Sequence, residues 1–326
     1  MPRSLRVSTA IAIPVTLLLA GCAGGASGAT GTAIGPLEKT TVNVDAFEAI
    51  DSAGLFIAEM DGLFAKEGLT VKISLGESTQ EELDEQEKGT YDISLGDYVT
   101  YIDNELLGHE HLLIVGESSF LQPNVLTLVT NRRISSVQDL TGKTISVNAP
   151  DDIGTLLIDS LMLENGVSLS DFRYDSNVQF PDVLTALDSG AASASFAPEP
   201  FVSIDEEKAG VEELADLDQG ATQDFPVQGV VVTQAWAQKY PNTLKAFTTA
   251  LDEGQEIADT NRSAVESALV KFLGLPAQVA SLVSLPTYPI GVNPVRLQRV
   301  VDAMVRFGIL PKSDSNYDIS SMIDNP

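Results

Sequence analysis

The sequence is poor in cysteine and in basic residues, and each shortage narrows the class of protein. Its 326 residues include one cysteine, Cys22, so no internal disulfide can form and an exported fold depends on its hydrophobic core. Lysine and arginine number 19 against 46 aspartate and glutamate residues, which gives a formal net charge of -27. Such a surface repels phosphate backbones, so we expect no nucleic-acid partner.

Histidine is also scarce, and the two that occur make a poor metal site. His109 and His111 flank Glu110 on a predicted strand. Positions two apart share one face of a strand while Glu110 points to the other face, which leaves two ligands and no third. The sequence also lacks a Ser-His-Asp arrangement, a phosphate-binding P-loop and a dinucleotide fingerprint. We therefore expect no metal, no cofactor and no enzymatic activity.

The start of the chain predicts export and a lipid anchor. Arg3 and Arg6 precede an apolar run over residues 7–19, which is shorter than the ~20 apolar residues of a spanning helix. The run closes with Leu19-Ala20-Gly21-Cys22, which resembles the lipobox of bacterial lipoproteins, where the cysteine becomes the lipidated first residue. Residues 1–21 are thus a predicted lipoprotein signal peptide. Residues 22–38 are predicted to be a flexible tether to the outer face of the cytoplasmic membrane.

Strand-like and helix-like segments alternate from residue 40 onward. Strands are predicted near residues 41–46, 69–75 and 91–95, and helices at 51–66 and 81–88, the latter as a solvated face. A second series begins near residue 135, and mostly helical sequence follows residue 236. Short connections between such segments predict an α/β fold with two lobes, each a mostly parallel sheet flanked by helices. Ligands of such folds bind beyond the carboxyl ends of the strands, in the cleft between lobes.

Several short motifs in order resemble one family of transport proteins. They are Gly62-Leu63-Phe64-Ala65-Lys66-Glu67-Gly68-Leu69, Gly89-x-Tyr91-Asp92, Ser136-x-x-Asp139-Leu140-x-Gly142-Lys143, Ala186-Leu187-x-x-Gly190 and Glu199-Pro200-Phe201. Over residues 41–324 the chain resembles the solute-binding lipoproteins of ABC importers. The similarity is to the group that binds nitrate, taurine and sulfonates and to the related binders of thiamine-pyrimidine precursors.

This resemblance implies a type II periplasmic-binding-protein-like fold and a transport function. Domain I would comprise residues 39–131 and 230–326, and domain II residues 132–229, with the hinge crossings near Asn131 and Val230. A monomer would capture a small-molecule ligand in the cleft, close around it, and deliver it to an ABC permease in the membrane. Fungal relatives act as enzymes with the aid of a cysteine-rich segment, which this chain does not have.

Five segments of the chain are expected to meet in the cleft. Three are loops that follow strands, one lies just past a strand of domain II, and one lies near the return crossing. The candidate ligand-binding residues on them are Phe47, Asp51, Ser52, Gly96, Asp97, Tyr98, Asn148, Asp152, Gly154, Thr155, Glu199 and Phe225.

The charge of these segments predicts the ligand. Family members that bind anions offer hydroxyl groups and free N–H groups where this chain has Asp151-Asp152, and carboxylates there repel an anion. These loops contain no lysine or arginine, although Arg132 and Arg133 lie near the predicted hinge. A neutral or cationic heterocycle such as an aminopyrimidine fits, with Glu199 pairing to ring N–H groups and an aromatic residue stacking on the ring.

Two alternatives stay open. If Asp151 and Asp152 are caps that face solvent, the charge argument leaves the ligand open, and an anion of the nitrate, sulfonate or taurine type is the alternative. The same cleft would also serve a sensory module that presents its ligand to a receptor.

Overall fold

The structure, a computed structural model, describes residues 35–76, 78–109, 111–131, 134–207 and 211–324. The predicted signal peptide, Cys22 and most of the predicted tether lie outside these residues, as do Glu110, Arg132 and Arg133. No helix among the described residues is long and apolar enough to span a bilayer.

The ten strands of the described residues form two five-stranded sheets. The first sheet has the order β2 (Thr70–Gly76), β1 (Thr41–Phe47), β3 (Ile93–Asp97), β10 (Pro226–Thr233) and β4 (Leu112–Phe120). The second has the order β7 (Arg173–Asp175), β6 (Thr144–Ser146), β8 (Ala194–Pro198), β5 (Leu126–Thr130) and β9 (Glu212–Asp216). We call the first sheet with its helices the first lobe, and the second sheet with its helices the second lobe.

Both sheets are mixed, and both have the same pattern of strand directions. In the first sheet β2, β1 and β3 are parallel, and β10 is antiparallel to β3 and to β4. In the second sheet β7, β6 and β8 are parallel, and β5 is antiparallel to β8 and to β9. The prediction of two α/β lobes with mostly parallel sheets is confirmed, since one strand of each sheet runs against the other four.

The chain crosses between lobes earlier than the sequence suggests. The predicted domain I reached Asn131 and so included β5, but β5 pairs with β8 and β9 of the second sheet. The first crossing therefore lies between β4 and β5, and the return lies between β9 and β10. Since every residue of β5 is buried, the strand is an inner strand of the second lobe.

Twelve helices are assigned within the described residues. They are α1 (Ala53–Met60), α2 (Leu63–Lys66), α3 (Thr79–Glu87), α4 (Tyr98–Leu107), α5 (Ile153–Glu164), α6 (Val183–Ser189), α7 (Phe201–Glu207), α8 (Gln234–Lys239), α9 (Pro241–Thr260), α10 (Arg262–Phe272), α11 (Ala277–Ala280) and α12 (Pro294–Phe307). Short 3-10 turns at Ile50–Ser52, Val137–Leu140, Phe180–Asp182, Gly220–Thr222, Lys312–Asp314 and Ile319–Met322 join them.

Aromatic stacking fixes the helices of the first lobe against each other. Phe56 of α1 stacks on Phe272 of α10 with ring centroids 4.6 Å apart, and Phe64 of α2 stacks on Phe247 of α9 at 5.0 Å. The helix predicted over residues 51–66 is broken, because Gly62 has a φ of 71° and so ends the α-helical run.

The last residues of the predicted tether are attached to the fold. Glu38 accepts a hydrogen bond from the Asn242 side chain at 2.6 Å and from the Thr243 N–H at 3.0 Å, at the start of α9. A carboxylate at a helix N-terminus is favourable because it satisfies N–H groups that have no partner within the helix. Residues 36–38 therefore belong to the first lobe.

Candidate functional site

A cavity of about 440 Å³ lies where the carboxyl ends of strands from both sheets meet. From the first lobe it is lined by Phe47, Ala49, Asp51, Ser78, Thr79, Gln80, Glu81, Asp97, Thr100, Asp103, Val227 and Gln228. From the second lobe it is lined by Leu126, Asn148, Ala149, Pro150, Asp151, Asp152, Ile153, Gln179, Phe180, Phe196 and Pro198. Its volume is in the range of small-molecule sites.

Some residues predicted from the sequence line this cavity and others do not. Those that line it are Phe47, Asp51, Asp97, Asn148 and Asp152. Those outside its lining are Ser52, Gly96, Tyr98, Gly154, Thr155, Glu199 and Phe225.

In the first lobe, the predicted residues outside the lining are held by core contacts. Ser52 is fully buried, and its hydroxyl donates to the Phe47 carbonyl at 2.9 Å. Gly96 faces Thr79, whose Cγ2 would lie 2.5 Å from a Cβ at that position. Tyr98 is fully buried, with its ring over Gly229 and edge-on to Tyr101. The first residue of a helix that follows a strand points into the core here, so Tyr98 is no wall for a ligand.

In the second lobe, Gly154 and Thr155 support the cavity wall from behind. Gly154 lies against the Phe196 ring, which a Cβ would meet at 2.8 Å, so glycine lets α5 approach β8. Thr155 receives a hydrogen bond from the Asp152 N–H at 3.0 Å and its own N–H donates to Asp152 Oδ1 at 3.1 Å. Thr155 thus orients the carboxylate that faces the cavity.

Glu199 and Phe225 lie at the junction between the lobes, not in the cavity wall. Glu199 accepts hydrogen bonds from the Ser203 hydroxyl at 2.8 Å and from the Ser284 N–H at 3.0 Å. Phe225 is buried with the Arg299 guanidinium 5.5 Å from its ring centroid. In this arrangement Glu199 is held by Ser203 and Ser284 and is not part of the cavity lining.

Three phenylalanines close the apolar side of the cavity. Phe180 of the second lobe meets Phe47 of the first edge-on, with ring centroids 6.2 Å apart, and Phe196 at 5.9 Å. Edge-to-face pairs of this kind are favourable beyond the area that they bury. Neither Phe180 nor Phe196 was predicted to line the cavity, because both lie within segments that are typical of an ordinary core.

The polar side of the cavity is built from helix N-termini that already have their own carboxylates. Asp97 is the N-cap of α4 and Asp152 is the N-cap of α5. Ser78 caps α3, whose first turn contains Glu81, and Asp51 lies in the 3-10 turn that leads into α1. The first turns of α3, α4 and α5 each donate an N–H group to a side-chain oxygen of Ser78, Asp97 or Asp152, so these three helix ends have an acceptor before a ligand arrives, whereas α1 has no side-chain cap.

Burial and mutual repulsion shift the acid–base equilibria of these carboxyl groups. Burial, followed by the charge of Asp97, raises the pKa of Asp152 to about 8. Burial also raises the pKa of Asp97, against the hydrogen bonds from the Thr100 N–H and hydroxyl at 2.9 and 2.8 Å. The pKa of Asp51 is raised by burial, although the Ser119 hydroxyl donates to it. The cavity therefore favours protons on its own acids.

A second layer of acids lies behind Asp97. Burial, then the charges of Asp45 and Asp97, raises the pKa of Glu82 well above its ordinary value. Burial raises the pKa of Asp45 to about 6. Within the described residues neither oxygen of Glu82 has a hydrogen-bond partner, and Asp45 Oδ1 also lacks one. Burial and the neighbouring carboxylates therefore favour the protonated, neutral form of Glu82.

No lysine, arginine or histidine is among the described residues that line the cavity, whereas Asp51, Glu81, Asp97, Asp103, Asp151 and Asp152 are. The described residues also contain no metal site, because no three His, Cys, Asp or Glu side chains among them are arranged to hold an ion. The geometry supports noncovalent binding of a small molecule.

Sequence reasoning missed the contribution of α3 and β10. Ser78, Thr79, Gln80 and Glu81 at the start of α3 line the cavity, and the Ser-x-x-Glu pattern marks a helix N-terminus after a strand. Gln228 lies opposite Asp97 in the β10–β3 register, a relation that only strand pairing reveals.

Comparison with known proteins gives a family. The family model described as NMT1/THI5 like matches residues 49–262. No curated protein matches the sequence.

Solved structures share the fold at low sequence identity. The alkanesulfonate-binding protein SsuA of Xanthomonas axonopodis pv. citri, bound to MOPS, aligns with a TM-score of 0.73 at 16% identity, covering 89% of this chain and 99% of that chain. The periplasmic nitrate-binding protein NrtA of Synechocystis PCC 6803 aligns with a TM-score of 0.74 at 15% identity, covering 89% and 87%. The ligand-binding component of an ABC-type import system from Staphylococcus aureus, with zinc bound, has a TM-score of 0.74 at 11% identity, covering 88% and 97%.

Proposed function

The chain belongs to the NMT1/THI5-like family, and from that premise we propose that it is an extracytoplasmic solute-binding protein of an ABC importer. It captures a small molecule in the cavity between its lobes and delivers it to a membrane permease. The observation that carries this proposal is a cavity of about 440 Å³ walled by both lobes and lined by polar groups without a nucleophile–base pair. Binding and release, without covalent chemistry, are what such a site does.

The ligand that fits this cavity is a neutral or cationic heterocycle, with an aminopyrimidine as the model compound. Phe47, Phe180 and Phe196 provide the apolar wall, and amide oxygens and carboxylates provide acceptors for ring N–H groups. An anion brought within about 4 Å of one unpaired carboxylate loses on the order of 4 kcal/mol at an effective dielectric near 20. That corresponds to roughly a thousandfold in affinity.

The competing ligand class is an anion of the nitrate, sulfonate or taurine type. It is favoured by the fold neighbours, which include an alkanesulfonate-binding and a nitrate-binding protein. It is also favoured by the number of helix N-termini at the cavity, but each of these is occupied by the chain's own oxygen atoms.

A thermal-shift screen of the purified protein separates these classes. The panel contains taurine, an alkanesulfonate, nitrate, bicarbonate, aminopyrimidines and pyridinium compounds. A ligand present at about 100 times its dissociation constant adds about 2.7 kcal/mol to the free energy of unfolding. We expect the largest shift from a heterocycle. An alkanesulfonate that gives the largest shift would replace the heterocycle with an anion and leave the transport function standing.

Closure around the ligand is tested by solution scattering. With a ligand identified by the screen at saturation, the radius of gyration should decrease because the lobes close on it. An unchanged radius would contradict capture by closure. Co-purification with a permease, as opposed to a signalling receptor, separates the transport function from the sensory module.

The lipid anchor is proposed from the sequence. Cys22→Ser should abolish labelling by a radioactive fatty acid and leave the protein unprocessed or released from the membrane. Labelling that persists in the variant would contradict the anchor.

A further inference from the structure

Two of the cavity carboxylates come from different lobes and act on each other. Asp97 ends β3 in the first lobe, and Asp152 precedes α5 in the second. The charge of Asp97 is the second contribution, after burial, to the raised pKa of Asp152. Like charges on two facing walls oppose closure of the cleft unless something positive lies between them.

An unpartnered amide lies beside this pair. Gln228 is the register partner of Asp97 on β10, is 5% exposed and lines the cavity. Its Oε1 atom is buried without a hydrogen-bond partner among the described residues. A buried acceptor without a donor costs free energy, and a ligand N–H group would satisfy it.

Within the described residues, the titratable groups around the pair are carboxyl groups and tyrosines, apart from His109. Glu81 of α3 and Asp103 of α4 line the cavity together with Asp97. The charge of Asp97 acts on Glu82 of α3 and Tyr101 of α4, and Asp45 of β1 acts on Glu82. Asp151 precedes Asp152, and Asp159 of α5 with Tyr174 of β7 lies behind it. Among these neighbours His109 is the one basic group, and it acts on Asp103.

We propose that Asp97, Asp152 and Gln228 are the specificity-determining residues of the cavity, and that they select a ligand with a positively charged hydrogen-bond donor group. This inference rests on the proposed solute-binding function and names its ligand class. The charged group of the ligand lies between the two carboxylates, with a further donor to Gln228 Oε1. The positive charge of the ligand attracts both carboxylates, so the repulsion between the two lobes is replaced by the attraction of each lobe to the ligand.

The position of the proton gives this binding a characteristic pH dependence. Below about pH 8 a proton occupies Asp152, and a cation has to displace it. Cation affinity therefore rises with pH, by up to about tenfold per unit when one proton is exchanged, and levels off above pH 8. Anion affinity follows the opposite course, since ionisation of the same carboxyl repels an anion.

Three compounds of similar shape and different charge test the ligand class. They are benzamidine, which is a cation with two donor nitrogens, benzamide, which is neutral, and benzenesulfonate, which is an anion. Calorimetric titration of the full protein at pH 8 should give benzamidine at least about 100-fold tighter binding than benzenesulfonate, with benzamide between them. Benzamidine should also bind about 10-fold or more weakly at pH 6 than at pH 8.

Variants then assign the effect to the named residues. Asp97→Asn and Asp152→Asn each remove a charge and keep an N-cap, because asparagine caps helices as well as aspartate does. Each variant should lower the affinity for benzamidine at least about 10-fold and raise the affinity for benzenesulfonate. Asp152→Asn should also remove the pH dependence of benzamidine binding. Gln228→Leu should lower the affinity for benzamidine and leave the pH dependence of that affinity unchanged. Asp188→Asn, the same change on an exposed position of α6, is the control and should do neither.

Each outcome is decisive. Tighter binding of benzenesulfonate than of benzamidine, or no binding of benzamidine at millimolar concentration, overturns the inference without any variant. Benzamidine binding that Asp97→Asn and Asp152→Asn leave unchanged assigns the cation to other residues and also overturns it. Binding of benzenesulfonate alone leaves the proposed solute-binding function intact. A protein that binds none of the three and carries no small molecule in native mass spectrometry contradicts that function itself.

Discussion

The two lobes have the same strand order and the same pattern of strand directions, yet they use their strand ends differently. In that order β1 corresponds to β6 and β3 to β8. Asp51 and Asp152 follow the first pair of strands, and both line the cavity. Asp97 and Glu199 end or follow the second pair, but only Asp97 of these two lines it, while Glu199 bonds Ser203 and Ser284.

This difference shows that topology brings acids to the cleft and local hydrogen bonds decide which of them face a ligand. Asp97 is turned toward the cavity by Thr100, which holds both of its oxygens. Glu199 is turned away by two serines, one of them on the first lobe, so it joins the lobes. The second lobe thus has Asp151 and Asp152 at the cavity and Glu199 at the lobe junction.

The largest effect that separates these acids is the pH dependence of stability. The pKa of Asp152 is about 8 in the folded protein against an ordinary value of 3.8, so the folded state holds its proton more tightly than the unfolded state does. The stabilisation is complete below pH 4 and is lost as pH rises to 8, by on the order of 4 kcal/mol from this group. Denaturant titrations of the ligand-free protein at pH 5 and pH 8 measure it.

Asp152→Asn is the matched variant for this measurement. It should reduce the loss of stability between pH 5 and pH 8 without abolishing it, because burial also raises the pKa values of Asp45 and Asp159 to about 6. Asp188→Asn should leave the slope unchanged. A wild-type protein that is more stable at pH 8 than at pH 5 would show that Asp152 is ionised throughout.

The next largest effect is expected for a substitution of Gly229, which packs against Tyr98, the residue that follows Asp97. In Gly229→Ala the new Cβ would lie 2.4 Å from Tyr98, the fully buried residue that follows Asp97. We expect a loss of about 3 kcal/mol in the free energy of unfolding, because Tyr98 has no free space to enter. Gly116→Ala on the neighbouring strand β4 is the control, where the nearest atom is at 3.3 Å, and it should cost less than about 1 kcal/mol. Equal losses would refute tight packing at Tyr98.

Glu199→Gln gives the smallest effect and tests the contrast with Asp97 directly. Glutamine retains hydrogen bonding to Ser203 and Ser284 but loses the charge, so stability should fall by about 1 kcal/mol. Benzamidine affinity should stay the same, whereas Asp97→Asn reduces it. A reduction of affinity in Glu199→Gln as large as that in Asp97→Asn would place Glu199 at the ligand.

The sequence was sufficient to predict which backbone segments form the site, but it was insufficient to predict the direction of their side chains. Asp97 and Asp152 were placed at the cleft because they lie in loops that follow strands, and both line the cavity. Their roles as N-caps of α4 and α5 come from the structure. Tyr98 was misjudged because its direction is set by the space over Gly229, which lies 131 positions away and is brought there by the antiparallel β10.

The remaining misses have similar causes. The start of α3 reads as a solvated face because its charged residues dominate the composition, although Thr79 is buried against Gly96. Strand β9 has no alternation of apolar residues and is recognised by its pairing with β5. Gln228 is polar within an apolar strand, and its role depends on the register that sets it opposite Asp97.

Native mass spectrometry of the freshly purified protein tests most directly whether the two lobes close on positive charge. We predict that the protein carries a small molecule that, once released, is a cation with N–H donors, and that Asp152→Asn purifies without it. Release of an alkanesulfonate or another anion from the wild-type protein would contradict the account.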